Sequence, residues 1–298
     1  MNRGRPVPET ARAEVLAAVP TFFDADGELD RETTVAHHAA LAGRVDGVFV
    51  SGTTGEFPAL DRAERHTLAE LALDAHGPDR VVVHVGAAST RDAVALTRDA
   101  VGLGVRRIAA LTPYYLPVDT AAVARHFAAV VAAAGSARVY GYLFTERTGV
   151  VLEPAEFAEL AADIGLAGVK LSGAANERLA DYIAALPAGA RLWSGADTTL
   201  PMVVRAGGAG IVSGLSAAFP EPFTALADAV EAGDSEAERA AQARADGVLD
   251  ALEGTVEGIK AALRHLGHGS GMLRMPAPDV QPAALERIAR LARPVAVG

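Results

Sequence analysis

Between residues 15 and 230 the chain repeats one unit: a short apolar run ended by glycine, proline or a cluster of small polar residues, then a longer segment with helical apolar spacing. The apolar runs are Val15–Phe23, Gly47–Val50, Val81–Val85, Arg107–Leu111, Arg138–Leu143, Gly168–Leu171, Arg191–Trp193 and Gly210–Val212. Helix starts lie between them. Asp30 is placed to cap a first helix stopped at Gly43, Asp61 with Glu64 forms a capping-box pattern, and Ser89 or Thr90 opens a third helix. Further helices are expected over about 120–134, 154–164, 176–185, 198–206 and 222–230. Strands alternating with helices imply a parallel sheet with helical crossovers, and eight units suit closure at least as well as an open doubly wound sheet. The expectation is a (βα)8 TIM barrel, an α/β fold, over residues 1–231. Residues 232–298 show helical patterns without a convincing strand and are expected to add a C-terminal segment of two or three helices.

Composition narrows the possible functions. Half of the 298 residues are hydrophobic, enough for a large core, and the net charge of -10 has no basic block to offset it. Nucleic acid and anionic membrane are therefore poor partners, while a small acid in a local basic pocket is a good one. The absence of cysteine removes disulfides, thiolate metal sites and cysteine nucleophiles. Arg3 and Arg5 precede only a short apolar run that Pro20 ends, a poor signal-peptide core, and no run reaches the length of a spanning helix. The expectation is a soluble cytoplasmic protein.

The chain contains only two lysines, Lys170 and Lys260. Lys170 stands between Val169 and Leu171 in a strand that Ser172-Gly173 turns into a loop, where burial disfavours an ammonium and favours the neutral, nucleophilic amine of a Schiff base. The bland alternative is a lysine that snorkels to water or pairs with a carboxylate. In a barrel, groups on the loops after the strands meet at one face. After the second strand come Gly52-Thr53-Thr54-Gly55-Glu56, whose hydroxyls and N–H groups can hold a small carboxylate, although an ordinary helix entry would look the same. After the fourth come Thr112-Pro113-Tyr114-Tyr115, and the fifth strand ends in Tyr140-Gly141-Tyr142 before Glu146-Arg147-Thr148-Gly149. Strands five and six are neighbours, so Tyr142 and Lys170 can face one substrate, a proton carrier beside an imine nitrogen. Arg147 can clamp a second carboxylate or a sugar-acid hydroxyl.

These motifs, in this order, resemble the dihydrodipicolinate synthase / N-acetylneuraminate lyase superfamily of class I pyruvate-dependent aldolases. The match rests on GTTGE at Gly52–Glu56, TPYY at Thr112–Tyr115, Y-x4-RTG at Tyr142–Gly149 and GVK at Gly168–Lys170. A glycine-rich strand at Ala206–Gly214 follows, and Gly258-Ile259-Lys260 through Leu266-Gly267 resembles a family helix. The resemblance implies that Lys170 forms the imine with pyruvate or a 2-keto acid, that Tyr142 shuttles protons, and that Thr53 relays to it. It implies that Gly52 and Thr54, with backbone N–H groups, hold the keto-acid carboxylate and that a carbonyl at Val212 faces the site. Tyr115 would reach a neighbouring subunit, implying a homo-oligomer, usually a tetramer built from tight dimers. No metal or organic cofactor is implied, since the imine itself is the electron sink.

The substrate branch is less constrained. Arg147 matches the synthase arginine, but the asparagine and proline of YNVPxRTG are replaced here, Glu146 stands beside Arg147, and His84–Thr90 looks more like the lyase and sugar-acid aldolase branches. A lyase of a 2-keto-3-deoxy or 4-hydroxy-2-keto acid is the leading expectation, with 4-hydroxy-tetrahydrodipicolinate synthase close behind. Two other readings are a phosphate-binding barrel using Gly195 and Gly207–Gly210, and a silent keto-acid sensor. His37 and His38 are read as helix surface, His265 and His268 as no metal set, and Lys260 and Trp193 as structural.

Overall fold

The computed structural model describes residues 12–292. Its strands are β1 (Glu14–Ala18), β2 (Gly47–Val50), β3 (Val81–His84), β4 (Arg107–Leu111), β5 (Arg138–Phe144), β6 (Gly168–Ser172), β7 (Arg191–Ser194) and β8 (Gly210–Ser213). All neighbours are parallel, and β8 pairs with β1, so the sheet is a closed barrel in sequence order. Crossover helices are α1 (Arg31–Leu41), α2 (Arg62–His76), α3 (Thr90–Gly102) and α4 (Thr120–Ala134). They continue with α5 (Thr145–Thr148), α6 (Pro154–Ile164), α7 (Leu179–Ala185), α8 (Leu200–Arg205) and α9 (Pro220–Ala232). The expected caps form: Asp30 accepts from the Thr33 N–H, Asp61 and Glu64 make a reciprocal capping box, and Ser89 accepts from Asp92.

Strand alternation sorts side chains into two shells. Tyr140 and Tyr142 of β5 join Leu16, Phe49, Trp193 and Val212 in the cluster inside the barrel. Val139 and Leu143 of the same strand pack outward under the helices, as do Val169 and Leu171 of β6. The apolar neighbours of Lys170 therefore cover the outside of the barrel while the lysine points inward. At the barrel floor, Glu14 accepts hydrogen bonds from Arg107 (2.9 Å) and the Trp193 indole (2.9 Å) and pairs with Arg191 at 3.2 Å. This network plugs the end opposite the mouth.

After α9, Gly233 in the left-handed region and the Asp234 cap turn the chain into α10 (Ser235–Leu252), followed by α11 (Val256–His265) and α12 (Pro282–Leu291). Ala241, Ala245, Val248, Ile259, Leu263 and Ile288 share a buried cluster with Val15 of β1 and Ile211 of β8. No helix among the described residues is long and apolar enough to cross a membrane.

Several local expectations change. The first apolar run is a strand only to Ala18, and Phe23 makes just an isolated bridge to Leu29. The helix expected from 176 begins as a 3-10 turn at Gly173, because the Glu146 carboxylate accepts the Ala174 N–H there. His37 and His38 are not at the helix surface; each is 2% exposed. His38 Nδ1 lies 3.1 Å from His76 Nε2 on α2, and the His37 ring packs between Phe22 and His268. Gly207 and Gly208 enter β8 from the floor side, where a Cβ on Gly208 would meet the Val203 side chain at 2.6 Å. Gly208 serves close helix packing and Gly207 a turn at φ 94°, both away from the mouth.

Candidate active site

The strand ends at the mouth surround a cavity of about 320 Å³ lined by Lys170, Tyr142, Thr53, Thr54, Arg147 and Val212 among others. Lys170 is 7% exposed, and its Nζ donates to Ser172 Oγ at 2.8 Å. The amine lies over the Tyr142 ring, 3.8 Å from its centroid, with Phe49 further off at 5.7 Å. It makes no salt bridge with a carboxylate among the described residues, unlike Lys260. Gly195 keeps this space open: a Cβ there would meet Ser172 Oγ at 2.2 Å and Lys170 Nζ at 3.0 Å.

Tyr142 stands directly opposite Lys170 in the β5–β6 register. Its hydroxyl is 3.2 Å from Thr53 Oγ1. Burial alone would push the phenol up, but the charge of Lys170 and the Thr53 and Ser172 hydroxyls outweigh it and hold Tyr142 below its ordinary value of 10. The phenol is thus wired to a hydroxyl on one side and beside an amine on the other, an arrangement suited to passing protons.

Thr53 and Thr54 sit on the turn after β2. Their backbone N–H groups donate to no protein acceptor among the described residues, and both line the cavity. Gly52 does not line it; a Cβ there would meet the Phe49 ring at 2.7 Å, so its small size lets the turn close over that ring. Val212 is a buried member of the inner cluster on β8. Arg147 projects from α5 into the cavity rim, its guanidinium 5.5 Å from the Phe144 ring centroid. Glu146 does not pair with it: its carboxylate turns away to accept the Ala174 N–H at 2.7 Å. Tyr115 is outside the cavity, 90% exposed, and held at a left-handed φ of 82°. Thr112, at the start of the same loop, donates to the Thr148 hydroxyl at 3.0 Å and ties the TPYY and RTG segments together.

Three contributors were not singled out from sequence. Ser172 lies two residues beyond Lys170 and so shares its face, a signal that strand alternation carried. Asp197 is a half-buried carboxylate lining the cavity; it accepts from Ser213 Oγ at 2.5 Å and the Leu215 N–H at 3.1 Å. Burial raises its pKa, and those hydrogen bonds with the charge of Lys170 only partly offset the rise. The turn from Gly254 to Glu257, with Ile259, closes one side of the mouth, so the C-terminal helices help to build the cavity. No cluster of three or more His, Cys, Asp or Glu side chains among the described residues is placed to hold a metal.

The family model of the dihydrodipicolinate synthetase family matches residues 11–293. A DapA-like lyase of Halobacterium salinarum, itself called uncharacterized, is 37% identical over 279 residues, covering 91% of this chain and 91% of the relative. The 4-hydroxy-tetrahydrodipicolinate synthase of Symbiobacterium thermophilum is 34% identical over 271 residues, covering 89% and 92%. Among solved structures, a prophage protein of the dihydrodipicolinic acid synthase family from E. coli K12, in complex with pyruvate, superposes with TM-score 0.84 at 27% identity, covering 94% and 97%. The sialic acid aldolase of Ruminococcus gnavus gives TM-score 0.85 at 25% identity, covering 94% and 95%.

Proposed function

The chain belongs to the dihydrodipicolinate synthetase family, whose members here are carbon–carbon lyases and synthases, and from that premise we propose that it is a class I aldolase that releases pyruvate from, or adds it to, a 2-keto-3-deoxy sugar acid or a 4-hydroxy-2-keto acid. The observation that carries this reading is the Lys170 amine, buried at the cavity with a hydroxyl and two rings around it and no salt bridge to a carboxylate among the described residues.

In the cleavage direction the neutral Lys170 nitrogen attacks the keto carbon and, with a proton from Tyr142, water leaves, giving a protonated imine beside a Tyr142 phenolate. That imine withdraws electrons, so the bond between the third and fourth carbons can break to an enamine while the 4-hydroxyl gives up its proton and becomes an aldehyde. Tyr142, bonded to Thr53, takes that proton and later returns one to the enamine; water then frees pyruvate and restores the amine. The substrate carboxylate fits the Thr53 and Thr54 N–H groups, which have no protein acceptor among the described residues, and the Thr54 hydroxyl. The reaction draws on no metal or organic cofactor. Asp197 and Thr255, both on the cavity wall, suit a hydroxylated chain.

A second reading, 4-hydroxy-tetrahydrodipicolinate synthase, is favoured by Arg147. With Glu146 turned to Ala174, Arg147 has no ion-pair partner among the described residues and is placed at the rim to clamp the carboxylate of a second, acidic substrate. Exposed Tyr115, held in its projecting conformation, suits insertion into a second copy, and a homotetramer working in the cytoplasm completes the proposal. The deciding experiment is a panel: pyruvate release from 2-keto-3-deoxygluconate, 4-hydroxy-2-ketoglutarate and N-acetylneuraminate, against condensation of pyruvate with aspartate semialdehyde. Turnover confined to the condensation would replace the first reading by the second, and turnover of none of the four would count against both.

A further inference from the structure

The turn that carries Thr53 and Thr54 is framed by two non-glycine residues in the left-handed region, Ser51 at φ 54° and Glu56 at φ 52°. Side chains disfavour that conformation, so it persists only where the surroundings over-determine it. The first end is held by His84, whose Nδ1 bonds the Ser51 carbonyl at 2.9 Å. The second end closes the turn: the Glu56 N–H donates to the Thr53 carbonyl at 3.0 Å. Between them, Thr21 Oγ1 donates to the Gly55 carbonyl at 2.7 Å.

The Glu56 side chain is anchored far from its place in sequence. It is 1% exposed, forms an ion pair with Lys260, and accepts the N–H groups of Arg274 (2.9 Å) and Met275 (2.8 Å). Lys260 is 2% exposed and also donates to the Met272 carbonyl at 2.7 Å. It belongs to α11, the helix whose first turn places Thr255, Glu257 and Ile259 on the cavity wall. A single helix thus lines the cavity and grips the turn opposite it.

Stability alone does not call for this arrangement, since apolar residues of similar volume replace buried ion pairs without loss in many proteins. What the pair adds is direction: it ties a strained turn to one position relative to α11. We propose that Glu56 and Lys260 are positioning residues that fix the Thr53–Thr54 turn for the keto-acid carboxylate, and so make binding at the barrel mouth depend on the docking of the C-terminal helices. This rests on the reading that Lys170 forms the imine and that Thr53 and Thr54 hold the carboxylate.

The test uses the full chain and the double variant Glu56→Gln/Lys260→Met, which removes both buried charges and keeps an oxygen acceptor for the Arg274 and Met275 N–H groups. Lys260→Met alone, leaving the carboxylate without its cation, is the harsher second variant. Borohydride trapping of Lys170 is titrated with pyruvate, and deuterium exchange is followed in peptides covering 51–57 and 168–172. The double variant is expected to fold, to need about tenfold more pyruvate for half-maximal trapping, and to lose much less in kcat at saturation. Exchange is expected to rise in 51–57 and stay unchanged in 168–172. Unchanged half-saturation with unchanged exchange would overturn the proposal, as would exchange rising equally throughout the barrel or a double variant that does not fold. Failure of the wild type to be trapped would instead strike the imine reading. Exchange in 51–57 would still report on whether the pair holds the turn.

Discussion

The two lysines of this chain are both buried, and they occupy opposite kinds of site. At the barrel mouth Lys170 has a hydroxyl, an aromatic face and a cavity beside it. At the seam between the barrel and its C-terminal helices, Lys260 has a carboxylate, a backbone carbonyl and the Phe23 ring, 4.5 Å from its centroid. Burial pushes the Lys260 ammonium down from its ordinary value, and Glu56 opposes that shift without cancelling it. The difference teaches what a buried amine is for. Given a carboxylate, it is a structural cation whose removal strands a charge; given only neutral partners and open space, it is a group that can react.

Substitutions can break this contrast. Lys170→Ala is expected to lower turnover by at least about 10⁴-fold with little change in melting temperature, read by steady-state kinetics and calorimetry. Retained turnover would move the nucleophile elsewhere. Tyr142→Phe keeps the ring under the amine and removes the proton carrier, so turnover falls by roughly 10²–10⁴ while the fold persists. Near-wild-type rates would take Tyr142 out of the mechanism. Lys260→Met should do the reverse of Lys170→Ala, costing about 3–5 kcal/mol in denaturant unfolding while leaving the trapped adduct on Lys170.

Acid sharpens the comparison. His37 and His38, packed on the Lys260 side against Phe22, His76 and His268, are lowered from 6.5 to about 3, chiefly by burial and then by neighbouring histidines. Below pH 6.5 the unfolded chain takes up protons that these folded histidines refuse. Stability present above pH 6.5 is therefore lost as the pH falls toward 3, at up to about 1.4 kcal/mol per pH unit for each histidine. Urea titrations between pH 7 and 5 check this, and a flat profile would contradict the burial of the pair. The smallest expected effect is Arg147→Ala, about a tenfold rise in KM for the second substrate with little change for pyruvate. Equal loss for both would make Arg147 a structural residue of the rim.

What sequence reveals follows from where each cause lies. The strand runs and the caps at Asp30, Asp61 and Ser89 are local, so the barrel could be read from them. The pairing of Tyr142 with Lys170 needed only a period of two and adjacent strands, and the register places them directly opposite. Asp197 was not legible, because its interest comes from a cavity assembled by several strands and by the turn before α11. The burial of His37 and His38 depends on His76, Phe22 and His268, which the fold brings in from elsewhere. Glu56 and Lys260 stand 204 positions apart, and nothing in either segment announces the other.

The most direct test of the central claim is to reduce the wild-type protein with borohydride in the presence of pyruvate and map the modified peptide by mass spectrometry. A single three-carbon adduct on Lys170, with Lys260 untouched, is the predicted result. An adduct on Lys260, or none on either lysine at saturating pyruvate, would contradict it.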